Sequence, residues 1–324
     1  MRTRAFFAAA IGLLPALLTP AFAGDYPTDK PISLVLPFAP GGPSDVIARL
    51  IADKLSTGLG QKVLVVNTPG AGGMVASSSV ARAAPDGYTL FYPNASTLTI
   101  APQLRKEKGP MPLEQFVPVA PVLQFSLVLV ANPGVQANDL QSLVQYARQN
   151  PGKVSYASPG VGTTPHLAAE MLEHETGISM LHVPYNGGSP AVLATVAGEV
   201  NLFFEQPLTI LPHLKTGKLK ALVSTGSQPL PLLPDVPTAT QAGYPDLTLE
   251  SWSAIVAPAG TPPAIVERLN QEVNKVLAQP EVQQAITSRG LEPTPGTPQD
   301  LARRIQEDWP RWSALIKNRN IVVN

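Results

Sequence analysis

Side chains able to do chemistry are few in this chain. Four histidines, His166, His174, His182 and His213, stand without any cysteine. His166 and His174 can share one helix face, but His182 falls in an expected strand, so no zinc-ligand spacing results. No HExxH, G-x-S-x-G or G-x-x-x-x-G-K-[ST] string occurs, which leaves metal-hydrolase, serine-elbow and phosphate-loop chemistry without support. Gly70-Ala71-Gly72-Gly73 lacks the third glycine and the acidic partner of a dinucleotide site. Two strand-to-helix loops remain. The first, Pro37-Phe38-Ala39-Pro40-Gly41-Gly42-Pro43-Ser44-Asp45, fixes an unusual backbone path beside a helix start, where main-chain N–H groups and the helix dipole favour an anion. In the second, Ser158-Pro159-Gly160-Val161-Gly162-Thr163-Thr164-Pro165-His166, Thr164 is the expected N-cap and Pro165 the first helical residue. Ser158, the Gly162 and Thr163 amides and His166 are then free to face a ligand, and two such helix ends across a cleft suit a dicarboxylate.

The elements that must position these loops alternate. Ile32 to Leu36, a helical stretch from Ser44 to Thr57 and Val63 to Val66 form a βαβ rhythm of continuous aliphatic runs. It continues through Tyr88 to Tyr92, Ser126 to Ala131, a helix near Asn138 to Gln149, Val154 to Tyr156, a helix near Pro165 to Glu175, Leu181 to Val183, Val200 to Phe204 and Leu219 to Val223. Helices are expected over Pro263 to Ala278, Glu281 to Arg289 and Pro298 to Lys317. The fold class is α/β: two domains, each a doubly wound, mostly parallel sheet. The expected division is 24–124 with 250–324 as a discontinuous first domain and 125–249 as the second.

Composition narrows the function. Lys and Arg number 23 against 23 Asp and Glu, and only 14% of residues are charged, where an average domain has about 25%. No basic footprint exists, so nucleic acid is excluded as a partner. Arg2 and Arg4, an uncharged run from Ala5 to Leu18 and Ala21-Phe22-Ala23 read as a signal peptide over 1–23, cleaved after Ala23. The run is too short for a membrane span. Without cysteine there is neither lipidation nor a disulfide. No cofactor is expected, and a monomer in the periplasm is.

Six motifs then occur in order: the Phe-x-Pro-Gly-Gly-x-x-Asp core of Ile32 to Arg49, Asn67-x-Pro-Gly-Ala-Gly-Gly, Pro85-Asp86-Gly87-Tyr88-Thr89-Leu90, Val183-Pro184-Tyr185-x-Gly, Leu233-Pro234-Asp235-Val236-Pro237-Thr238 and Ala257-Pro258-Ala259-Gly260-Thr261-Pro262. Together they resemble the Bug family, the extracytoplasmic receptors of tripartite tricarboxylate transporters. The resemblance implies a type II periplasmic-binding fold with two crossover strands, closing on a small carboxylate held largely by backbone amides and small hydroxyls, with membrane permease subunits as partners. The matching positions are Phe38, Ala39, Gly41, Gly42 and Asp45 in the first loop and Gly162, Thr163, Thr164 and His166 in the second, with Asn94, Ser96, Thr97 and Tyr185 as further contacts. Departures bear on the ligand: Asn186 stands where the family commonly has Lys, Glu205 where it often has a shorter polar residue, and Gln241 where Glu is usual. Glu205 near the cleft argues against a tricarboxylate, and Phe38, Tyr185 or Trp252 could line a pocket for an aromatic or extended aliphatic acid. Two alternatives stay open: a receptor that reports to a signalling partner, and an exported hydrolase using Ser158 or Thr163 with His166.

Overall fold

The structure is a computed structural model that describes residues 26–104 and 109–321; the signal-peptide reading of 1–23 lies outside them. The first lobe begins with β1 (Ile32–Leu36), α1 (Pro43–Leu59), β2 (Val63–Asn67), α2 (Met74–Ala81) and β3 (Thr89–Phe91). In α1, Ile47, Ile51 and Leu55 recur at four-residue spacing and are fully buried, the pattern of a helix with one face on a sheet. Gly60, at φ 68°, stops it. A short α3 (Pro112–Gln115) leads into β4 (Phe116–Ser126).

The second lobe holds β5 (Val128–Ala131), α4 (Leu140–Gln149), β6 (Ser155–Ser158), α5 (Thr164–Thr176), β7 (Leu181–Pro184), α6 (Gly188–Ala197), β8 (Leu202–Glu205), α7 (Pro207–Lys215) and β9 (Lys220–Ser224). The chain then returns through β10 (Glu250–Pro258), α8 (Pro263–Leu277), α9 (Pro280–Thr287), β11 (Glu292–Pro293) and α10 (Pro298–Asn318).

Two sheets result, with strand orders β11-β4-β10-β3-β1-β2 and β7-β6-β8-β5-β9. The expected two-domain α/β fold is present, but its sheets are mixed. β1 pairs in parallel with β2 and β3, and β6 with β7 and β8. The strands next to the crossings run the other way: β10 is antiparallel to β3 and β4, and β5 to β8 and β9. Only Leu127 separates β4 from β5, so the chain passes between sheets there.

Apolar periodicity places no strand over most of β4 or over β10; crossover strands between the lobes are implied by the family resemblance alone. Pro118 and Pro121 interrupt β4, and proline cannot donate to a ladder. The register between β4 and β10 shifts at Ser253/Ala254 and Ile255/Val256, opposite those prolines, so irregularities absorb them.

The lobes share more than strands. Leu301 and Ile305 of α10 sit in a first-lobe core with Trp252, while Trp312, Ile316 and the following Ile321 join the second-lobe core. Pro310 lies inside the helix between those halves. Ile100 and Leu104, which follow β3, also enter the second-lobe core. Among the described residues no helix is long and apolar enough to cross a membrane.

Candidate functional site

The first loop is braced from within. Gly41 adopts φ 84°, where glycine is favoured, and its N–H donates to Asp45 Oδ2 at 3.0 Å. Arg49 Nε donates to the same oxygen at 2.9 Å, and Asn67 Nδ2 reaches Asp45 Oδ1 at 2.9 Å and the Phe38 carbonyl at 3.0 Å. Asp45 is buried. The hydrogen bond from Arg49 holds its carboxyl down to about 2, against the opposing effect of burial. Both oxygens of Asp45 are therefore engaged in shaping the loop. Ala39 and Gly41 stay exposed and Phe38 and Gly42 half-buried, while no side chain caps α1.

The loop after β3 closes on the first. Asn94 Oδ1 accepts the Thr97 N–H at 3.0 Å, opening a single wide turn over Ser96–Ile100. Thr97 is buried against Gly73, where an added Cβ would stand 2.5 Å from its Cγ2 and 3.0 Å from Pro37 Cβ. Only glycine lets these three loops meet. Gly73 is in a motif noted above but was not singled out as a site residue; its crowding depends on contacts distant in sequence.

Ser96 joins the lobes. Its hydroxyl lies 2.6 Å from Thr164 Oγ1 and accepts the Thr164 N–H at 2.9 Å. Ser251, at the crossing in β10, lies 3.4 Å from the Thr164 hydroxyl. The N-cap of α5 is Thr163, one residue earlier than expected, and its hydroxyl donates to the Gly160 carbonyl at 2.8 Å. Thr164 is thereby the first helical residue, and its amide is occupied by Ser96. Gly162, at φ 78°, faces Leu104 so closely that a Cβ would come within 1.9 Å of its Cδ1.

The second loop also differs from expectation in its histidine. His166 is buried, and its Nδ1 accepts the Gly162 N–H at 3.2 Å, so that amide is turned to the protein. Burial first, then the neighbouring His182, pushes His166 down to about 4. Ser158 is fully buried and lies 2.7 Å from His182 Nε2; the histidine paired with it is not His166. His182 stacks on His166 and Tyr156, with centroids 4.2 and 4.8 Å apart.

Tyr185 is half-buried beside the second-lobe core, its N–H on the Ser158 carbonyl at 2.9 Å. Glu205, at the end of β8, is buried and accepts the Gln206 N–H at 2.7 Å. Its other oxygen lies where a Cβ on Gly188 would come within 2.5 Å, so the carboxyl rests against the start of α6. Burial pushes Glu205 up to about 7. Trp252 donates from Nε1 to Asp308 at 2.6 Å beneath α10: it is a core residue. Among the described residues no cluster of three or more His, Asp or Glu could hold a metal ion.

The profile of the tripartite tricarboxylate transporter family receptor matches residues 47–321. Protein BugT of Bordetella pertussis is 35% identical over 313 residues, covering 95% of this chain and 96% of its own. The R. palustris protein Rpa4515, solved with adipate, superposes with a TM-score of 0.84 at 32% identity, over 92% of this chain and 99% of its own. MatC of Rhodopseudomonas palustris, solved with bound malate, gives a TM-score of 0.80 at 34% identity, over 89% and 99%. With that likeness running through both lobes, this chain belongs to the tripartite tricarboxylate transporter receptors, which are solute-binding proteins and not enzymes.

Proposed function

We propose that the chain captures a small carboxylate between its lobes and delivers it to the permease subunits of a tripartite tricarboxylate transporter. The observation that carries this reading is the cross-lobe pairing of Ser96 with Thr164 at the start of α5, at a helix N-terminus that its own N-cap residue Thr163 does not close and whose dipole favours an anion. The Gly42 amide and the exposed Ala39 amide of the first loop supply small donors around that junction, while the Gly41 amide and the Thr163 hydroxyl, committed to Asp45 and to the Gly160 carbonyl, hold the two loops in shape. Asp45 and His166 shape the two loops; Asn94 and Thr97 shape the third. Tyr185 and Glu205 border the second-lobe side. Malate and adipate, with which the relatives described above were solved, support that ligand class. Export to the periplasm with cleavage after Ala23, a monomeric state and the division into 24–124 with 250–324 against 125–249 accompany the proposal.

A micromolar affinity corresponds to about −8 kcal/mol, within reach of several aligned amide and hydroxyl bonds in a closing cleft. Titration calorimetry with malate, adipate and monocarboxylates is expected to give saturable one-site binding for at least one. Absence of heat and of thermal stabilisation across that panel overturns the reading.

A further inference from the structure

We propose that Arg319, just past the end of α10, is a positioning residue for the second-lobe ligand loop, acting through Glu170 on His166 and through His166 on the Gly162 amide. The inference rests on the carboxylate reading above for what the loop does. Arg319 Nε donates to Glu170 Oε2 and Nη2 to Glu173 Oε2, each at 2.8 Å. One planar guanidinium thus holds two carboxylates of one helix. Glu170 Oε1 in turn accepts the Tyr156 hydroxyl at 3.0 Å and lies 3.6 Å from His166 Nε2.

His166 can accept the Gly162 N–H only through an unprotonated Nδ1, which places its proton on Nε2, the nitrogen facing Glu170. The depressed pKa of His166 is consistent with this neutral ring. The Nε2–H that this tautomer leaves faces, at 3.6 Å, a carboxylate that Arg319 holds still. Stacked beside it, His182 carries the same order to Ser158 at 2.7 Å. Glu173 has a second anchor, the Met180 N–H at 2.5 Å, whereas Arg319 is the cation that pairs with Glu170 Oε2. Loss of the guanidinium leaves Glu170 with the Tyr156 hydroxyl but without its cation, and the chain of contacts to Gly162 loosens at its first link.

The test uses the ligand-free, isotope-labelled full chain with Arg319→Gln and Arg319→Lys. Two readouts need no ligand: the ring-nitrogen shifts of His166 and the hydrogen exchange of the Gly162 amide. In Arg319→Gln the His166 shifts are expected to move toward a mixed tautomer, and Gly162 to exchange at least about 10-fold faster through local opening. The dissociation constant for whichever of malate or adipate the parent binds should rise about 3- to 10-fold, the equivalent of one hydrogen bond. Arg319→Lys should restore much of each effect. Unchanged His166 shifts and Gly162 exchange in a cooperatively folding Arg319→Gln overturn the proposal, as does altered exchange with unaltered affinity. If Arg319→Gln does not fold, Glu170→Gln, which keeps an acceptor for Tyr156, is read by the same criteria. A parent that binds neither acid counts against the carboxylate reading alone, and the two ligand-free readouts still decide whether Arg319 sets the loop.

Discussion

Glu205 is a carboxyl group held where water can barely reach it. Its pKa in the fold, about 7, lies above that of an unfolded chain, about 4.3, so the folded state prefers the protonated form. The stability this contributes is complete below the unfolded value and is lost as pH rises toward the folded one. Glu205→Gln is therefore expected to stabilise the protein at pH 8 by about 1–3 kcal/mol and to change little at pH 4. Urea unfolding at the two pH values checks it, and equal effects at both would contradict the burial argument. Gly42 gives the matching test in the first loop. Its φ is −77°, and an added Cβ meets only the Ala39 carbonyl at 3.9 Å. Gly42→Val should fold normally yet crowd the start of α1, weakening carboxylate binding about 10-fold; intact affinity would remove this loop from the site. At this scale the residue types were legible, but their partners were not. Asp45 and His166 stood out by position beside a helix start. That Asp45 is engaged by Asn67, and Ser158 by His182, depends on neighbours 22 and 24 residues away, and single-sequence spacing carries no record of such contacts.

Elements read well where one periodicity dominated. Strand β1 falls where the aliphatic run placed it, and α1 extends the expected stretch by two residues or fewer at either end. The failures have a physical cause. In β4 the prolines that argue against a strand sit at register shifts, and in β10 the buried Ser251 and Ser253 break the apolar run. Helix α5 starts one residue early because the Thr163 hydroxyl reaches the loop carbonyl and Ser96 takes the next amide. Its approach to Leu104 yields the element-scale prediction. Gly162→Ala meets both a positive φ and a side chain at 1.9 Å, and should cost about 2–4 kcal/mol from strain and overpacking together. A companion Leu104→Ala change should recover part of that loss, which a double-mutant cycle measures directly; strict additivity would show that the two residues do not meet in solution.

At the scale of the molecule, the two-lobed α/β arrangement was legible from alternation alone, because strands and helices of distinct period recur through most of the chain. The path of α10 was not, since one amphipathic helix looks the same whether it covers one core or two. Its capping box, Thr297 with Asp300, anchors it at one end, and Trp312 seats it at the other. A proline within a helix costs about 3 kcal/mol, so Pro310→Ala is expected to raise stability by about 1–3 kcal/mol. With no native cysteine, dyes on cysteines placed at the exposed Lys153 and Glu267 report the lobe separation without competing thiols. The same Pro310→Ala change should narrow their distance distribution; an unaltered spread would mean that the helix does not govern it. Mechanically, α10 behaves as a stay fastened to both halves of a clamshell. In the cleft-closing reading proposed above, opening flexes it near Pro310 or draws Trp312 from its seat, a loss of about 3–5 kcal/mol by comparison with truncating a buried tryptophan. The reach of the open state is then limited by how far one helix can bend, however free the strands at the crossing are.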